Sequence, residues 1–161
     1  MLTPNKYDKH RDLFGRDILA VYASGDGRHE NVDAAVRTRV VPRGLERDAR
    51  TVDGLDNAVQ AVIHRLKTIR GELSDLGHPE YGSRHHELIG QPNTEHNRNL
   101  VKLYILQALG RESRVAEVLE ARLDHDPARD RDKVNLFLTL RFIESPEPEN
   151  LVIPFSFEGR L

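Results

Sequence analysis

Apolar positions in this chain recur at two different periods. In the first half they fall at Val59, Val62, Ile63, Leu66 and Ile69, a helical spacing that predicts one amphipathic stripe. Asp56 is expected to cap that helix by accepting hydrogen bonds from its open amides. Arg65, Lys67 and Arg70 place cations near its C-terminal end, where the helix dipole favours them. Gly71 is expected to take positive φ just beyond it. Residues 72–82 read as a turn, because Gly77, Pro79 and Gly82 interrupt regular structure and Ser74 and Asp75 favour local side-chain turns. Ser83 is expected to cap a short helix that reaches Ile89, with Gly90 and Pro92 ending it. A second long helix is predicted from Thr94, its N-cap, to Leu109. Leu100, Val101, Leu103, Tyr104, Ile105, Ala108 and Leu109 give it a broad apolar face, which predicts deep burial or contact with two neighbours. Gly110 is its stop.

The C-terminal third changes to a period of two. Val134, Leu136, Leu138, Leu140 and Phe142 alternate with Asn135, Phe137, Thr139, Arg141 and Ile143, which is strand spacing. Residues 115–123 alternate more weakly, and 124–133 form a hydrophilic connector. Leu151, Ile153, Phe155 and Phe157 alternate again. Pro154 lacks an amide donor, which predicts an edge strand. Before the helices, residues 18–22 and 36–41 read as short strands, 26–35 as a polar loop, and 45–53 as a charged segment with a faint strand pattern. Residues 1–16 read as an irregular lead-in. The expected fold is α+β: two main helices plus a short helix packed on a small antiparallel sheet, with short N-terminal β segments. Residues 1–50 are expected to form an arm and short strands, and residues 51–161 the α+β domain.

Composition narrows the function classes. The 161 residues suit one sizeable core. Twenty-four Lys and Arg against twenty-six Asp and Glu leave a net charge of −2, with no general attraction to nucleic acid or anionic membrane. Cysteine is absent, which excludes disulfides and thiolate metal sites. No apolar run matches a signal peptide or a membrane span, so a cytoplasmic, soluble protein is expected.

Three chemistries compete with plainer readings of the same residues. His78, His85, His86 and His96 lie beside Glu80 and Glu87, yet they form no paired ligand spacing on one helix face, so no metal or cofactor is expected. Glycoside hydrolysis needs two carboxyl groups about 5–9.5 Å apart around a sugar-sized cleft. Glu72 with Glu80 or Glu87 is the pair available, though Glu72 follows a helix stop and is expected to bond turn amides. Arg37, Arg39, Arg43, Arg47 and Arg50 cluster together, but Glu46, Asp48 and Asp53 interleave, which favours a solvated face or protein interface over nucleic acid.

The order of these phrases resembles the baseplate assembly protein W family of contractile phage tails. Leu66, Thr68, Gly71 and Glu72 match its helix-ending phrase, and Pro79, Tyr81 and Gly82 its following turn. Lys67 stands where the family often has leucine. Glu112-Ser113-Arg114 occupies the place of the family's Glu-Pro-Arg phrase, with serine for proline. The resemblance covers roughly residues 52–142.

That resemblance implies a non-enzymatic baseplate component that links inner wedge proteins to the hub and tube and starts sheath polymerisation by strand exchange. It implies six copies in a ring, assembly in the cytoplasm and a final place in a phage-like particle or injection machine. Glu112, Ser113 and Arg114 become the expected wedge interface. Gly71, Glu72, Pro79, Tyr81 and Gly82 become the turn scaffold, and Leu151, Ile153, Phe155 and Phe157 the sheath-facing strand. Some family members are labelled lysozyme-like, so a tail-associated peptidoglycan hydrolase is the alternative.

Overall fold

The computed structural model describes residues 12–24, 30–126, 128 and 130–158, so most of the lead-in lies outside the described residues. The chain divides into two compact units, Met1–Gln60 and Ala61–Leu161. The division falls inside helix α1 (Gly54–Lys67).

Among its described residues the first unit contains six short strands in three antiparallel pairs: β1 (Arg16–Ile18) with β6 (Thr51–Asp53), β2 (Ala20–Ser24) with β3 (Glu30–Ala34), and β4 (Val36–Val41) with β5 (Gly44–Ala49). Single residues separate consecutive arms, and there the chain leaves one ladder for the next. Leu19 donates its amide to the Arg50 carbonyl at 2.8 Å, Arg50 to that of Ala35 at 2.7 Å, and Ala35 to that of Leu19 at 2.8 Å. This closed ring of three bonds satisfies the backbone groups that the strand exchange would otherwise orphan. The side chain of Gln60 braces it, accepting from the Ala20 amide and donating to the Ile18 carbonyl, both at 2.9 Å. Asn57 donates to the Phe14 carbonyl at 2.9 Å.

Three expectations change in this unit. The apolar run at 18–22 is two strands, β1 and the start of β2, because Leu19 is a junction residue. The region expected as a loop over 26–35 contains β3. That strand is polar and carried no alternation to reveal it; residues 25–29 lie outside the described set. Helix α1 starts at Gly54, so Asp56 lies in its first turn instead of capping it.

Ala58, Val62 and Leu66 are the buried apolar positions of α1, at 0, 0 and 2% exposure, one helical turn apart. Val59 and Ile63 are half-buried, and Ile69 lies beyond the helix and is exposed.

The second unit is built from the end of α1, two 3-10 turns (Ser74–Leu76 and His85–Leu88), helix α2 (Glu95–Leu109) and an antiparallel sheet of β7 (Val115–Asp124), β8 (Lys133–Phe142) and β9 (Glu149–Ser156) in that order. Thr94 caps α2 as expected, its hydroxyl accepting from the Asn97 amide at 3.2 Å. The apolar face of α2 is narrower than expected: Val101, Ile105, Ala108 and Leu109 are buried, whereas Leu103 is exposed. Ser83 does not cap the second 3-10 turn; its hydroxyl sits 2.8 Å from His85 Nδ1.

Central strand β8 carries the core. Val134, Leu136, Leu138, Leu140 and Phe142 are each at most 1% exposed. Polar cross-strand pairs dress its other face. Arg122 lies over Phe137 at 4.6 Å, Arg141 pairs with Glu117, and Thr139 donates to Asn150 at 2.9 Å. Pro154 falls on edge strand β9, opposite Asn135. Helices beside segregated antiparallel strands make the fold α+β.

Candidate functional site

The turn after α1 brings the family-like residues together. Gly71 has φ +89°. Gly82 has φ +96°, and a Cβ there would meet the Thr68 carbonyl oxygen at 2.6 Å and Ile69 backbone atoms at 2.8 Å. Only glycine fits such an approach, and it lets Ser83 donate to Thr68 at 2.9 Å and accept from Arg70 at 3.1 Å. Glu72 accepts from the Ile69 amide at 3.1 Å, holding the same corner.

Glu112 closes the site from the far end of α2. It is 7% exposed, and its Oε2 accepts from Arg65 Nε at 2.9 Å. The Arg65 guanidinium also lies 4.4 Å from the centre of the Tyr81 ring. One buried carboxylate thus ties α1, the proline–tyrosine turn and the segment before β7. Burial raises the Tyr81 phenol above its usual pKa, partly opposed by Arg65. The other oxygen of Glu112 accepts from the Arg114 amide at 3.4 Å and lies 3.8 Å from its guanidinium. Ser113 is exposed, and the Arg114 side chain is 37% exposed. Within the expected wedge triplet, Glu112 is therefore internal, while Ser113 and Arg114 are accessible.

A second ionic bridge lies beside the first. Glu80 accepts from Arg111 at 2.6 Å and pairs with Arg70. Arg65, His78, Pro79, Glu80, Tyr81 and Arg111 line a shallow open groove of about 480 Å³. Sequence reasoning gave Arg65 only a dipole role and gave Arg111 none. Their signal is spatial, since the partners lie 47 and 31 residues away.

The carboxylates nominated for hydrolysis are each engaged: Glu72 by an amide, Glu80 by two arginines, and Glu87 by Nε and Nη2 of Arg84, each at 2.9 Å. Arg84 holds the Glu87 carboxyl below its usual pKa, the opposite of what a general acid needs. His85 is 4% exposed, and burial followed by the His86 charge lowers its pKa to about 3. His86 bonds the Leu66 carbonyl at 2.9 Å, whereas His78 and His96 are exposed. Among the described residues, no three His, Asp or Glu side chains converge as a metal site. No described helix is long and apolar enough to cross a membrane.

The sheath-facing candidates sit differently from expectation. Leu151, Phe155 and Phe157 are 8, 7 and 2% exposed and Ile153 is half-buried, so these side chains pack inward. Phe155 meets Phe157 edge-on at 4.9 Å. Asn150, Val152 and Pro154 are the exposed side chains of β9, an edge strand of the sheet. Strand alternation dictates this, because one set faces the core and the next faces out.

No protein-family model and no curated protein matches the chain. Among solved structures, it matches a crystal structure from Geobacter sulfurreducens provisionally described as a tail lysozyme. Sequence identity is 20%, the TM-score is 0.53, and the match covers 63% of this chain and 88% of that one. The two share a fold over that span.

Proposed function

We propose that this chain is a structural baseplate component of a contractile tail or injection system, of the baseplate assembly protein W kind. It links wedge proteins to the hub and tube and nucleates the sheath. The observation that carries this reading is the knot around Glu112. The residues that resemble the family are brought into one place, and there they tie elements together instead of exposing reactive groups. A shared fold with a protein described as belonging to a tail supports the same setting.

In this reading the knot is a rigid bracket and Arg114 with Ser113 is its accessible tip. Glu112 acts as a positioning residue that holds Arg114 outward. A sheath strand adds to the open edge of β9, forming main-chain bonds on either side of Pro154. Recombinant co-assembly tests this. Arg114→Ala is expected to keep its circular dichroism spectrum and lose recovery of wedge complexes. Unchanged recovery contradicts the wedge assignment.

The alternative is a tail-associated peptidoglycan hydrolase, favoured by the description of the structural neighbour. It needs a free general acid, and the three nominated carboxylates are already partnered. Clearing of purified peptidoglycan by the chain, abolished by Glu80→Gln, would establish that alternative and displace the structural reading.

A further inference from the structure

The β4–β5 arm has no other strand beside it among the described residues, and almost all of it is exposed. Its two faces differ. Val36, Val40 and Leu45 are 48, 81 and 72% exposed and share one face, with Val40 directly opposite Leu45. On the other face Arg37 stands opposite Asp48, and Arg39 opposite Glu46. On this face the basic residues belong to β4 and the acidic ones to β5, while Arg47 of β5 stands opposite Thr38 on the apolar face. An isolated two-stranded hairpin is marginal in water, and a strand edge with an apolar face is a template for pairing.

The second unit carries a complementary edge. Among the described residues, strand β7 pairs with β8 alone. Its core-side residues Val118, Ala121 and Leu123 are half-buried, although their β8 partners Leu140, Leu138 and Leu136 are at most 1% exposed. The core face is thus left incompletely covered at β7. Glu117, Glu120 and Asp124 are exposed on this strand; Glu117 pairs with Arg141 of β8 and Glu120 lies 3.9 Å from Arg122, so the strand itself carries three carboxylates against one arginine.

We infer that β4 of one copy adds to the free edge of β7 of a second copy. Alternation matches where β7 is regular, over Glu120–Asp124, beyond the bulges that interrupt its first half. Val36 and Val40 extend the apolar side beside Ala121 and Leu123, while Arg37 and Arg39 fall on the face where Glu120 and Asp124 flank Arg122. Strand β5 is the wrong donor, because Glu46 and Asp48 would meet those carboxylates, and adjacent like charges destabilise. The interface is head-to-tail, so each copy offers one arm and one edge, and repetition gives a ring or a filament. Nucleic acid is the lesser fit, since exposed aliphatic residues, not aromatic ones, dominate one arm face and acids interleave the other.

The inference stands apart from the baseplate reading and is tested with the full chain alone. Analytical ultracentrifugation across a concentration series should show oligomers that dissociate on dilution. Arg37→Glu with Arg39→Glu should give a folded monomer, as should Glu120→Arg with Asp124→Arg. An equimolar mixture of the two variants should restore oligomers, because each reversed arm then meets a reversed edge. Wild type that stays monomeric at high concentration overturns the inference. So do variants that assemble alone, or a mixture that stays monomeric.

Discussion

Glu112 is a residue whose value lies in what it prevents. Arg65 beside it is 12% exposed at its side chain, so the pair is largely out of water. Removing one partner of a buried pair typically costs about 3–5 kcal/mol, because the other charge remains buried alone. Glu112→Ala is therefore expected to lower the urea midpoint steeply, whereas exposed Ser113→Ala should change stability by under about 0.5 kcal/mol. Equal effects in denaturant titrations contradict the buried-pair account. At Gly82 the constraint is backbone: an alanine needs positive φ and also overlaps the Thr68 carbonyl. Gly82→Ala should cost about 3 kcal/mol, and a thermal midpoint within a degree or two of wild type would refute it. His85 adds a pH dependence. Its folded pKa of about 3 lies below its ordinary 6.5, so the unfolded chain binds the proton more tightly between those values. Stability is full above pH 6.5 and falls as pH drops toward 3, by an amount on the order of 5 kcal/mol. The span from pH 6.5 to 5 is the cleanest window, before carboxylates titrate. His85→Gln should flatten the wild-type profile there; an unchanged slope assigns the effect elsewhere.

Elements were legible in the sequence where one force dominated. β8 announced itself because both its neighbours and the layer against it bury the same alternate residues. Helix α2 was marked by its cap, and Thr94→Ala should cost about 1 kcal/mol in denaturant titrations. The polar strand β3 was not legible, since its pairing is made by backbone groups that every residue carries. Nor was the junction at Leu19, Ala35 and Arg50, where three hydrogen bonds between distant residues replace any local signal. In the candidate site, Gly71, Glu72 and Gly82 could be read as turn builders from local chemistry alone. The partnership of Glu112 with Arg65 could not, because it spans 47 residues and depends on tertiary packing. The inward packing of Phe155 and Phe157 was partly legible: alternation identified the strand, but only the sheet shows which side meets the core.

At the scale of the molecule, the site is an internal bracket with an accessible rim, flanked by a sheet whose outer strands have no further strand beside them among the described residues. These features suit a protein that positions others. They provide accessible backbone edges and a fixed arginine, while the nominated acids are spent on internal pairs. The baseplate reading then makes a demand on location. The measurement that tests it most directly is cryo-electron microscopy of the native particle, with this chain placed in the density. The account predicts density for the chain at the junction of tube and sheath, with Arg114 against a wedge protein and a sheath strand along β9. Density at a cell-wall-facing tip, away from the sheath, would contradict it.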